Sequence, residues 1–144
     1  VDKSSKRWSI GDVAAKTGLS VHALRYFERE RLLLRPVERS GSKHRMFDAS
    51  DVDWLLLINR FRESGMPIAT IRRFAELVRD GPGNEADRLA LLREHEAAVE
   101  QKIAALQDNL EVIRTKVAIY DDHVKHGTAV GVWAPWSPET PTLG

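Results

Sequence analysis

The chain of 144 residues has room for one compact domain, or for a small domain joined to an elongated element. Its 42% hydrophobic and 30% charged residues are ordinary for a folded soluble protein, and with no cysteine it has no disulfides, thiolate metal sites, cysteine-ligated clusters or thiol redox chemistry. The net charge of +1 conceals an asymmetry: residues 1–80 carry 16 Lys and Arg against 11 Asp and Glu, and residues 81–144 carry 6 against 10, a balance suited to meeting a polyanion at one end.

No apolar run approaches the length of a membrane helix and no signal-peptide pattern opens the chain, so the expected location is the cytoplasm. The chain opens on Val1 rather than methionine, as a processed or expressed product would. Residues 1–7 read as a disordered basic arm. Ile10, Val13 and Ala14 then recur at helical spacing, and Gly18 stops that helix because glycine tolerates the left-handed conformation. Leu19 fills the corner and Ser20 caps a second helix over about Val21 to Arg31. Two short helices joined by a tight glycine-containing turn make a helix-turn-helix.

In the second helix Leu24, Phe27 and Ala23 face inward, which leaves His22, Arg25, Tyr26 and Arg29 on or beside the outward face. Pro36 ends this region. Val37 and Arg39, then Arg45 and Phe47, flank a Ser40-Gly41 turn and read as a short two-stranded wing with Lys43 and His44 at its tip. Ser50 is expected to cap a third helix with Val52, Leu55, Leu56 and Ile58 on its apolar face, closed by Gly65. Pro67 opens a fourth, with the stripe Ile68, Ile71, Ala75 and Val78. "RDGPGN", Arg79 to Asn84, is the one clear break.

Asn84 starts a long helix, with Asp87 in a capping-box-like place. Its apolar positions are Leu89, Leu92, Val99, Ile103, Leu106, Leu110, Ile113, Val117, Tyr120 and Val124. From Val99 the steps alternate four and three, the 3.5-residue repeat of a coiled-coil seam, and Glu96 interrupts the register that Leu92 implies. Roughly forty residues at 1.5 Å each span about 60 Å, and a helix of that length with one apolar stripe needs a partner, most simply another copy of the chain. Folding back on its own domain is the competing reading. The tail carries Trp133 and Trp136, fenced by Pro135 and Pro138.

The chain therefore reads as mainly α, a winged helix-turn-helix followed by a long dimerisation helix. Residues 8–80 form the winged helix-turn-helix domain with two supporting helices, 84–124 the coiled-coil helix, and 125–144 a short tail that is a candidate effector-contacting segment. A helix-turn-helix places its second helix in the major groove of double-stranded DNA, with flanking donors on phosphates. The candidate DNA-binding residues are Lys16, Thr17, Ser20, Val21, His22, Arg25, Tyr26, Arg29, Arg39, Lys43, His44 and Arg45, with Lys16, Val21, His22 and Arg25 the candidates for reading bases. A solvated face with Arg29 and Arg31 paired to Glu28 and Glu30 is the plainer alternative. No nucleophile–base pair, clustered acid–base site or phosphate-cradling glycine loop is present, so no enzyme and no cofactor are expected. A coiled-coil adaptor would account for the rear half but leave the wing without a role.

"WSIGDVAAKTGLSVHALRYFERERLL", Pro36, "HRMF" and "DVDWLLLINRFRESGMPIATIRRF" together resemble the MerR family of bacterial transcription regulators, over roughly residues 8–78 in motif and in the architecture of the long helix. The resemblance implies that Arg25 and Tyr26 grip phosphate and that Arg45 is the wing arginine. His44 stands where the family usually has a tyrosine, Phe27 replaces a commoner tyrosine, and Arg31 and Lys43 replace glycines. It further implies a homodimer joined by an antiparallel coiled coil. Such a dimer on a near-palindromic operator distorts an over-long promoter spacer so that RNA polymerase can use both elements. Metal-sensing relatives use cysteines that are absent here, and His95, His123 and His126 are not expected to hold a metal. An organic effector contacting Tyr120, Trp133 and Trp136 is the expectation, against a purely structural role for the two tryptophans. An effector-independent repressor or architectural DNA-binding protein stays open beside it.

Overall fold

The computed structural model describes residues 7–34, 38–39 and 45–127, and the chain divides into two compact units at Val99 and Glu100. The element order is β1 (Trp8–Ser9), α1 (Ile10–Thr17), α2 (Val21–Arg29), β2 (Glu38–Arg39), β3 (Arg45–Phe47), α3 (Ala49–Glu63), α4 (Ile68–Arg79) and α5 (Glu85–His126).

Capping chemistry sets most of the helix boundaries. Ser9 accepts from the Asp12 amide and the Asp12 carboxylate returns to the Ser9 amide, a reciprocal box that starts α1. Gly18, at φ 75°, ends it. Ser20 Oγ accepts from the Ala23 amide at 3.0 Å and starts α2, as the sequence indicates. The cap of α3 is a correction, because Asp48 rather than Ser50 takes that place, in a box with Asp51. At the start of α5 the Asn84 side chain donates to the Leu77 carbonyl and accepts from Arg88 Nε. The Glu85 carboxylate accepts from the Gly83 amide, and hydrogen bonds from its own backbone and that of Gly83 hold its pKa below the usual carboxylate range.

The wing is broader than the two strands expected. β3 pairs antiparallel with β2, Arg39 opposite Arg45, and also with β1, Trp8 opposite Phe47, giving the order β1-β3-β2. The strand at Trp8–Ser9 thus ties the start of the first unit to the wing.

Within that unit Val13, Leu24, Phe27, Leu32, Leu55, Ile58 and Ile71 are fully buried in one core with Phe47, Trp54, Met66, Phe74 and Ala75. The Trp54 and Phe74 rings stack at 5.9 Å, and Phe61 meets Phe74 edge-on at 5.3 Å. Leu56, placed inward by the sequence reading, is instead 43% exposed. Leu91 and Leu92, early in α5, pack against this core. There His95 Nε2 meets Ser64 Oγ at 2.7 Å, and Ser64 Oγ donates to the Phe61 carbonyl. In the second unit the continuation of α5 carries its apolar residues on the surface, with Leu106 66% exposed.

Candidate nucleic-acid interface

The buried side of α2 fixes what its other side can present. Leu24 and Phe27 anchor the helix in the core, so His22, Arg25 and Arg29 stand exposed, with Val21 half-buried at its first turn. Tyr26 is half-buried and packs against the core rather than standing free on the outer face. The Arg62 guanidinium of α3 lies 5.8 Å from the Tyr26 ring centroid and 5.6 Å from that of Phe27. Sequence reading missed Arg62, because nothing local in α3 indicates that its last turn folds over the aromatic pair of α2.

At the turn, Thr17 Oγ1 donates to the Val13 carbonyl at 2.8 Å and accepts from the Leu19 amide at 3.2 Å, so its hydroxyl shapes the corner. Ser20 Oγ only accepts from Ala23 in its cap, which leaves the hydroxyl proton available to an outside acceptor. Lys16 is exposed, its ammonium 4.7 Å from the Trp8 ring centroid. Arg39 and Arg45 are cross-strand neighbours in the wing. Lys43 and His44, at the tip, lie outside the described residues, as do Trp133 and Trp136.

The segment leaving α2 is held by three side chains from α3 and α4. Trp54 Nε1 donates to the Leu32 carbonyl at 2.7 Å. Arg72 donates through Nε to the Glu30 carbonyl at 2.9 Å and through a terminal nitrogen to its carboxylate at 2.7 Å. Arg79 donates to the Leu33 carbonyl at 2.6 Å. Glu30 is therefore engaged by Arg72 of α4, an ion pair made across the fold. These bonds fix the course of residues 30–33 as the chain leaves α2. Backbone carbonyls carry no sequence signal, so this arrangement is not legible in the sequence.

On α5, Leu89, Ile103, Leu106, Leu110, Ile113, Val117, Tyr120 and Val124 are exposed, whereas Leu92 and Val99 are partly buried. Among the described residues no group of three or more His, Cys, Asp or Glu side chains is placed to hold a metal ion, and no helix is long and apolar enough to cross a membrane.

Comparison with known proteins places this geometry. The family description "MerR HTH family regulatory protein" matches residues 8–77, and "MerR, DNA binding" matches residues 52–116. An uncharacterised HTH-type transcriptional regulator of Haemophilus influenzae is 32% identical over 92% of this chain and 98% of its own length. The HTH-type regulator HmrR of Sinorhizobium medicae is 33% identical over 74% of this chain and 71% of its own. Among solved structures, HiNmlR, described as a MerR family regulator lacking the sensor domain and bound to promoter DNA, superposes with a TM-score of 0.79. It is 30% identical, and the match covers 90% of this chain and 98% of that one. A MerR-type regulator from Listeria monocytogenes gives 0.77 at 28% identity, over 83% of this chain and 90% of that one.

Proposed function

Because this chain belongs to the MerR family of helix-turn-helix regulatory proteins, and is a DNA-binding transcription regulator of that type, we propose that two copies bind one near-palindromic promoter operator and act by distorting the spacer between its elements. Each copy sets α2 in a major groove. Lys16, Val21 and His22 approach base edges, and Arg25, Tyr26, Arg29, Arg39, Lys43, His44 and Arg45 contact the phosphates on either side, with Thr17 and Ser20 at the turn. The observation that carries the reading is the α2 face itself: Leu24 and Phe27 are locked in the core, so His22, Arg25 and Arg29 are presented outward together.

The two copies meet along the α5 seam, whose leucines, isoleucines and valines in the second unit stand exposed, with no cover among its described residues. Placing two half-sites on one face of the duplex lets phosphate contacts at the two ends offset the energy of bending and untwisting between them. RNA polymerase then engages both promoter elements. The neighbour described as lacking a sensor domain is matched over 98% of its length, which supports a reading in which the aligned residues bind and distort DNA by themselves. An organic effector held by Tyr120, Trp133 and Trp136 is the alternative, and quenching of tryptophan emission by small aromatic cations, lost in Tyr120→Ala, would favour it.

The test is a DNase footprint on the region upstream of the protein's own gene, followed on any protected site by Arg25→Ala and Arg45→Ala. Protection between promoter elements with a hypersensitive centre is the expected result, and both variants should weaken binding on every sequence while dimers persist. Protection without central distortion would replace the mechanism by simple repression. Unchanged affinity in both variants would overturn the phosphate assignments.

A further inference from the structure

The proposed dimer leaves open how two α5 helices align. Taking Glu96 as an a position, the seam reads a at Glu96, Ile103, Leu110, Val117 and Val124, and d at Leu92, Val99, Leu106, Ile113 and Tyr120. Parallel pairing would set Glu96 against Glu96 of the partner subunit, two like charges in an apolar seam. In an antiparallel pair each a position meets a d position instead, and successive alignments differ by one heptad.

We infer that Glu96 and Tyr120 of opposite subunits pair and fix one antiparallel register, symmetric about Asp108. In that register Leu106 meets the partner's Leu110, Ile103 the partner's Ile113, Val99 the partner's Val117, and Leu92 the partner's Val124. Each of these layers is apolar. The remaining layer brings Glu96, the one charged seam residue, to the partner's Tyr120, the one seam residue with a hydroxyl. A phenol O–H donated to a carboxylate is a charge-assisted hydrogen bond, which compensates the carboxylate for lost water.

The flanking charges select the same alignment independently. On the e flank, Glu100 falls beside the partner's Arg114 and Arg93 beside the partner's Asp121, attractive in both cases. All four are exposed, and Asp121 already meets Lys125 of its own helix at 2.8 Å, so the pairing joins an existing charge cluster. On the g flank Lys102 lies near the partner's Lys116, the one opposing pair.

Shifting by a heptad in one direction sets Arg93 against the partner's Arg114 and leaves Glu96 facing the partner's Ile113. Shifting in the other sets Glu100 against the partner's Asp121 and moves Glu96 beyond the partner's helix. The chosen register thus has matched e-flank charges and a partner for its seam carboxylate, and each alternative lacks both.

The inference rests on the dimer proposed above, and the absence of native cysteine makes it directly testable in the full chain. Gln101→Cys, Asp108→Cys and Thr115→Cys, all at outward f positions, are each spin-labelled and the distance between the two copies is measured by pulsed electron resonance. Labels at 101 and at 115 should give equal distances, each offset along the axis by about 21 Å, with the label at 108 giving the shortest. A heptad shift would make the offsets at 101 and 115 unequal, about 10 Å and about 31 Å in one order or the other, and would overturn the register while leaving the dimer standing. A monomer in sedimentation would overturn the dimer and the register together. As a second measurement, Glu100→Arg should raise the dimer dissociation constant several-fold and Glu100→Arg with Arg114→Glu should restore it; no restoration would count against the e-flank pairing.

Discussion

Arg31 and Gly65 hold equivalent places at the ends of α2 and α3. In each helix the amide two residues past the cap donates to a carbonyl five residues back: Leu32 to Phe27, and Met66 to Phe61. The amide before it donates three residues back, Arg31 to Glu28 and Gly65 to Arg62, so both ends form the same Schellman closure. The closure needs a left-handed residue, at φ 59° for Arg31 and 88° for Gly65. Arginine meets that need at a steric cost that glycine avoids, although glycine loses more freedom on folding. Arg31→Gly should therefore raise the unfolding free energy by about 1 kcal/mol, read as a higher urea midpoint at unchanged slope. Side-chain identity made Gly18 and Ser20 legible from sequence as stop and cap. It could not decide the start of α3, because Asp48 with Asp51 and Ser50 with Asp53 are two overlapping capping patterns, offset by two residues. An arginine in a left-handed turn gives no local signal at all.

At the scale of elements, the helix spacing in α1, α2 and α4 located their buried faces, Val13, Leu24 with Phe27, and Ile71 with Ala75. α3 resisted because Trp54, Leu55, Leu56, Leu57 and Ile58 are apolar all the way round the helix, so periodicity cannot choose a face. Tertiary packing chose Trp54, Leu55 and Ile58 and left Leu56 and Leu57 outside. β1 was illegible for a different reason: two residues have no period, and Trp8–Ser9 is a strand only through its pairing with β3. The bonds from α3 and α4 onto Glu30, Leu32 and Leu33 are the consequence of that packing for the interface. Trp54→Phe keeps the ring stack on Phe74 but removes the donor to the Leu32 carbonyl. It should lower stability by about 1–3 kcal/mol, the range for stranding a buried acceptor, measurable by denaturant titration. Arg72→Ala acts on a half-exposed pair and should lose less, about 1 kcal/mol. Both variants should also bind DNA more weakly, since they loosen the chain as it leaves α2; operator affinity matching that of the unaltered chain would show that the wing is positioned without these bonds.

For the whole molecule, the positive charge gathers in the unit ending at Val99, with 18 Lys and Arg against 15 Asp and Glu, and the negative in the one beginning at Glu100, with 4 against 6. If two copies share an operator, every substitution is made twice in the complex. Arg25→Ala should then reduce the steepness of log affinity against log salt by about 1.8, two phosphate contacts at about 0.9 each. A change of about half that size would mean that one copy binds alone.

The contact between Ser64 and His95 bears on how the long helix leaves the first unit. Ser64 Oγ donates to the Phe61 carbonyl of its own helix and meets His95 Nε2 at 2.7 Å, and the His95 ring lies edge-on to Phe61 at 6.5 Å. The closing turn of α3 is thereby clasped to the early turns of α5 by a polar contact as well as by the packing of Leu91 and Leu92, so one histidine serves as a rivet at the root of the helix.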